Sequence, residues 1–129
     1  MCFLPSSAIA SQSWLEGTWE NDREQTEKSH PYMSNMEEDV RAEFLDKFED
    51  YSWTFKDGVF SSTFPDAENE SSGLYFVRPI TDLSFEIYGT YPEEFTFLIE
   101  KNVKGFCSTF ILDGKPLQGT KQCFKKRHP

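Results

Sequence analysis

The chain has 129 residues, enough for one domain with a single core and too few for two. Its 13 Phe, 5 Tyr and 3 Trp favour strands and supply a large buried area per residue. The formal net charge of -9 argues against nucleic acid, because phosphate neutralisation needs a basic face.

The charge is unevenly placed. Residues 20–50 hold 11 Asp/Glu against 4 Lys/Arg, whereas Lys121 to Arg127 has 4 basic residues and no acidic one. Solvated surface accounts for both runs, and contact with a protein partner through the acidic segment or the basic tail is the sharper alternative. No stretch approaches the ~20 apolar residues of a spanning helix, so no transmembrane segment is expected.

Residues 1–12 read as a disordered N-terminus or the remnant of a signal peptide, and 13–129 as the folded domain. Ala8-Ile9-Ala10 before Ser11 has the small-x-small form of a signal-peptidase site, with Phe3 and Leu4 fitting the end of an apolar h-region. The basic n-region is absent. Cleavage would make the protein periplasmic or secreted; otherwise it is cytoplasmic. Cys2 lacks the upstream residues of a lipoprotein signal.

In Trp14-Leu15-Glu16-Gly17-Thr18-Trp19-Glu20-Asn21, Leu15, Gly17 and Trp19 share one side of an extended segment. Gly17 permits close approach of a neighbour, and Trp19 suits the plug of a barrel end. Asn21 is placed to cap a helix over Asp22–Ser29, with Glu24 reaching back and His30-Pro31 as the stop. Ser34 with Glu37 opens a second helix to about Asp50, with Met36, Val40, Phe44, Leu45 and Phe48 as its apolar stripe.

Asp57-Gly58 then reads as a two-residue type I′ turn between Tyr51–Lys56 and Val59–Phe64. This register sets Lys56 opposite Val59, Phe55 opposite Phe60, Trp53 opposite Ser62 and Tyr51 opposite Phe64. It places Tyr51, Trp53, Phe55, Phe60 and Phe64 on one face. Pro65 to Ser72 is a polar loop with the sequon Asn69-Glu70-Ser71, relevant only to a eukaryotic secretory pathway. Strands follow at Gly73–Ile80, Asp82–Thr90, Glu94–Lys101, Lys104–Leu112 and Pro116–Lys126, with Asp113-Gly114 as a second tight turn. Leu83, Phe85 and Ile87 share a face, as do Phe95, Phe97 and Ile99, and Phe106 with Phe110. Eight antiparallel strands with half-apolar alternation are expected to close as a barrel rather than leave open edges.

With its Gly17-Thr18-Trp19 strand, charged helical segment and Phe124-Lys125-Lys126-Arg127 finish, the sequence resembles the lipocalin-like (calycin) superfamily. Within it, the resemblance is to small, exported, mostly uncharacterised bacterial members. It implies a mainly β fold: an eight-stranded antiparallel barrel with a helical insertion between the first and second strands. By analogy with fatty-acid-binding relatives, the helices are either a lid over the barrel mouth or a plug at one end. The resemblance also implies a basic residue of the last strand across the Gly-x-Trp ring, for which Lys126 and Arg127 are candidates over Trp19.

No catalytic residue, cofactor or metal site stands out. His30 lies in a loop and His128 at the C-terminus, with no nucleophile motif nearby, and Cys107, Cys123 and the histidines match no zinc spacing. The protein is therefore expected not to be an enzyme. The leading expectation is non-catalytic binding of a small hydrophobic ligand inside the barrel. Its lining would be Trp53, Phe55, Phe60, Arg78, Phe85, Phe97 and Phe110, with Phe64, Phe95 and Phe106 as further inward rings. Arg78 would hold a ligand carboxylate if it shares an inward face with Leu74 and Phe76; if Tyr75 and Val77 point inward, it is solvated. The alternative is a filled barrel acting as a structural or protein-interaction module, since such bulky rings can fill eight strands without help.

For the cysteines, a tight turn at Asp113-Gly114 places Leu112 opposite Lys115 and Cys107 opposite Thr120. Cys123 then falls on the other sheet face, so two free thiols are expected.

Overall fold

The computed structural model describes residues 13–63, 71–90 and 94–127. Residues 1–12 with the cleavage motif, Phe64, Asn69 of the sequon and His128 lie outside the described residues. Among the described residues, ten strands form one antiparallel sheet: β1 (Gly17–Asn21), β2 (Ser52–Lys56), β3 (Val59–Thr63), β4 (Ser71–Leu74), β5 (Phe76–Pro79), β6 (Ser84–Gly89), β7 (Phe95–Lys101), β8 (Gly105–Leu112), β9 (Lys115–Pro116) and β10 (Gln122–Lys126). Their order is β4-β3-β2-β1-β10-β8-β7-β6-β5, with β9 paired to β8 beside the path. β4 and β5 are separated by Tyr75 alone, so one bent segment pairs with β3 through its first half and with β6 through its second. That bend makes the sheet a nearly closed barrel. The expected strands Gly73–Ile80 and Pro116–Lys126 are each split in two, which accounts for ten strands where eight are read from the sequence.

The first hairpin folds as its turn chemistry dictates. Asp57 and Gly58 take φ of 53° and 81°, the left-handed pair that a type I′ turn requires. Phe55 pairs with Phe60, and Trp53 with Ser62. Alternation then carries Trp53 and Phe55 into the core, 1% and 0% exposed.

Two helices follow β1. α1 (Arg23–Ser29) is capped by Asp22, whose carboxylate accepts from the Gln25 amide at 3.1 Å. Asn21 is instead the last residue of β1, with Nδ2 donating to the Cys123 carbonyl at 3.4 Å. α1 packs on the outer side of β10, and there the Thr26 hydroxyl accepts from the Cys123 amide at 2.9 Å. α1 thus buttresses the wall, whereas further along the insertion Phe48 packs against the barrel core, its ring 6.1 Å from that of Tyr51. α2 (Glu38–Lys47) is shorter than its apolar pattern suggests, because Ser34 belongs to a 3-10 turn, Met33–Asn35. Leu45 is buried, Phe44 and Phe48 are half-buried, and Val40 faces solvent. Among the described residues no helix is long and apolar enough to cross a membrane.

The expected free thiols are corrected. Cys107 and Cys123 are joined by a disulfide, with Cα atoms 3.9 Å apart. The turn at Asp113-Gly114 does set Leu112 opposite Lys115. Pairing then lapses in a three-residue 3-10 turn, Gln118–Thr120. The Thr120 hydroxyl holds that turn, donating to the Leu117 carbonyl at 2.6 Å and accepting from the Phe110 amide at 2.9 Å. Three residues are absorbed there, so Cys123 rather than Thr120 stands opposite Cys107. An odd displacement also exchanges the faces, which puts both sulfurs on the same side. That side is the outer one, since the neighbouring Phe106 and Phe124 point inward, yet both cysteines are buried.

Peptide mapping should find neither Cys107 nor Cys123 alkylated without reductant, and both alkylated after unfolding and reduction. Closing a loop of this length is worth about 3 kcal/mol in the chain-entropy account. Cys107→Ala with Cys123→Ala should therefore lower the urea midpoint accordingly, whereas an unchanged midpoint would show that the bond adds no stability.

Candidate functional site

One end of the barrel is closed by a seal of rings, and the rings toward the other end are less deeply buried. The seal begins with a 3-10 turn, Ser13–Leu15, which buries Leu15 completely. It sets Trp14 edge-on to Trp19 and Phe85, each with centroids 5.8 Å away. Trp19 Nε1 donates to the Leu15 carbonyl at 2.7 Å, which satisfies the indole beneath the turn. Lys126, opposite Trp19 in the β1–β10 ladder, places Nζ 4.7 Å from that ring's centroid and donates to the Glu16 carbonyl. Gly17 has φ of 120°, and a Cβ there would lie 2.5 Å from Lys126 Nζ. The Gly-x-Trp pattern is thus a device for passing a lysine across a tryptophan. Lys126 fills this role; Arg127 pairs with Glu20 outside, Nε to Oε2 at 3.4 Å.

Behind the seal, rings fill the space in mutual contact. Phe124 stacks on Trp53 at 4.5 Å and on Phe106 at 5.2 Å, and Phe55 stacks on Phe60 at 5.1 Å. Phe85, Ile87 and Ile99 complete this buried part. Of the expected lining, Trp53, Phe55, Phe60 and Phe85 belong here.

Phe97 and Phe110 do not share that burial. Together with Phe95 they are half-buried, although Phe97 contacts Trp53 at 4.9 Å and Phe95 contacts Phe60 at 5.4 Å. The cause is a parting of strands. The last rung between β7 and β8 is Phe97 opposite Phe110, although β7 starts at Phe95 and β8 runs on to Leu112. Beyond that rung β8 keeps only β9, on its other edge, and a hollow of about 400 Å³ lies beside the unpaired β7 edge. Phe95, Thr96, Phe110 and Ile111 line it on the strands that part, and Arg78, Glu86 and Tyr88 line it from β5 and β6.

Arg78 is therefore corrected: it lies outside the barrel. Tyr75 and Val77 pack against the core, whereas Leu74 and Phe76 are exposed. The Tyr75 ring meets Phe55 at 5.2 Å, which fixes the parity of the segment. The Arg78 guanidinium bonds Glu86 at 2.8 Å and stands 4.8 Å over the Tyr88 ring.

Polar groups inside the barrel gather away from the seal. Burial pushes the Tyr51 phenol above its ordinary pKa, against hydrogen bonds with Trp53 and Ser62. Gln122 stands opposite the buried Ser108, with Oε1 buried and no hydrogen-bond partner among the described residues. His30 is held more firmly than a loop position suggests: Nδ1 accepts from the Tyr32 amide and Nε2 donates to the Gly119 carbonyl, both at 3.1 Å. Its partners are backbone groups, so its role here is to fasten the helical insertion. Sequence reasoning gave no role to Trp14 and did not place Phe124 inside. Alternation from Gln122 through Phe124 to Lys126 is the signal that would have found the latter.

No protein-family model, curated protein or solved structure matches this chain.

Trp19→Ala should cost about 3–5 kcal/mol of unfolding free energy as a large-to-small core change. A urea titration showing less than about 1 kcal/mol would mean that the ring does not seal the barrel. Tyr75, like Tyr51, is held above its ordinary pKa by burial, with Glu16 adding to the effect. Both phenols thus ionise more readily unfolded than folded. The stability they carry is complete below the ordinary phenol pKa of about 10 and is lost as pH rises through the higher folded values. Alkaline titration followed by phenolate absorbance should show Tyr51→Phe removing a late step; loss of an early step instead would place Tyr51 in solvent.

Proposed function

We propose that this protein binds a small hydrophobic molecule without catalysis, at the end of the barrel where β7 and β8 part. The observation that carries the reading is the half-burial of Phe95 and Phe110, which line a hollow of about 400 Å³ at the barrel rim that opens toward the outer face beside Arg78 and Tyr88. A barrel that needed its rings solely as filler would gain by burying these as fully as Trp53 and Phe55. The volume falls within the range of small-molecule sites. The lipocalin-like resemblance points the same way, and the Gly17–Trp19–Lys126 closure is in keeping with it. The disulfide supports maturation in an oxidising compartment, and so a periplasmic or secreted protein.

A second reading rests on the continuous contact of Phe106, Phe124 and Trp53. On that reading the barrel is a filled scaffold, and the acidic helices or the basic tail meet a partner protein.

Native mass spectrometry of the full chain, purified from its own host without detergent, separates the two. The binding reading expects an adduct of a few hundred daltons that is lost in Phe110→Glu. Bare polypeptide, or an adduct indifferent to that substitution, would favour the scaffold.

A further inference from the structure

The chemical class of the ligand follows from the charges around the hollow. The apolar part of its wall comes from Phe95, Phe110 and Ile111, with the Tyr88 ring beside them. Among the described residues its charged side chains are Arg78, Glu86, Glu94 and Asp113, one cation against three carboxylates. The cation is already committed, with Glu86 at 2.8 Å and the Tyr88 face beneath it. Neither Glu94 nor Asp113 forms an ion pair among the described residues. An incoming carboxylate would have to break the Arg78–Glu86 pair and then face two further carboxylates. An ammonium group would meet carboxylates and aromatic faces, the two environments that favour a cation. The position of Arg78 over Tyr88 shows that a cation already sits on this wall.

We propose that the hollow takes an amphiphilic amine, with its apolar or aromatic body against Phe95, Phe110 and Ile111 and its ammonium toward Glu94 and Asp113. This rests on the binding reading above and selects, within it, a cation over the fatty carboxylate that the family resemblance suggests. The net charge of -9 acts in the same direction at long range, concentrating cations near the surface.

Three ring probes of similar size test it on the full chain: 2-phenylethylamine, 2-phenylethanol and phenylacetate, each titrated at low salt and followed by amide NMR shifts. The expected result is binding of the amine at least about fivefold tighter than the alcohol, with phenylacetate weakest, because exposed carboxylates contribute modestly. Shifts should centre on Tyr88, Phe95, Phe110 and Ile111. Glu94→Gln with Asp113→Asn should bring amine and alcohol to parity; asparagine suits the left-handed turn position that Asp113 occupies, with φ of 53°. Phenylacetate binding as tightly as the amine, or an amine preference unchanged in the double variant, overturns the proposal and leaves the binding reading standing. If none of the probes shifts these amides, both fall.

Discussion

The interior depends on Trp53. Its ring stacks on Phe124 from the last strand, touches Phe60 across the first hairpin at 5.0 Å, and meets Phe97 at 4.9 Å. One side chain thus joins β2, β3, β7 and β10, strands far apart in sequence. Aromatic pairs gain from offset and edge-on geometry beyond their buried area, so these contacts favour one arrangement over mere collapse. The buried part of the barrel is built around this ring and its stack with Phe124 and Phe106.

What was legible in the sequence was whatever two local signals agreed upon. At Asp57-Gly58 the turn type and the alternation of Trp53, Phe55 and Phe60 demand the same register, and the hairpin has it. At Asp113-Gly114 the turn was right and the register beyond it was not. The slip rests on Thr120 bonding both Phe110 and Leu117, a tertiary arrangement that no short window encodes. Arg78 failed for another reason. Leu74, Tyr75, Phe76 and Val77 are apolar in succession, so alternation cannot say which pair faces in. The choice is made by Phe55 receiving the Tyr75 ring. The candidate site was less legible than the fold, because the hollow exists where two strands stop pairing, and strand patterns record where pairing is favoured.

The helical insertion gains meaning from its attachment. Asp22, Asn21 and Thr26 all bond the backbone of Cys123, at 2.8, 3.4 and 2.9 Å for the first bond of each. β1 ends at Asn21, so the start of α1 takes over the polar groups of β10 that a longer β1 would have paired. A half-cystine is thereby held through its backbone by a helix and through its side chain by β8.

The place of β10 in the sheet has a consequence for how the chain reaches its fold. β10 is made after every other described strand, yet it lies between β1, the first, and β8. Until it emerges, β1 and β8 each carry an unpaired edge, and Trp53 lacks the ring on which it stacks. Neither half of the barrel is therefore finished before β10 has emerged. Closure is a late, long-range event of the kind that slows folding and exposes sticky edges meanwhile.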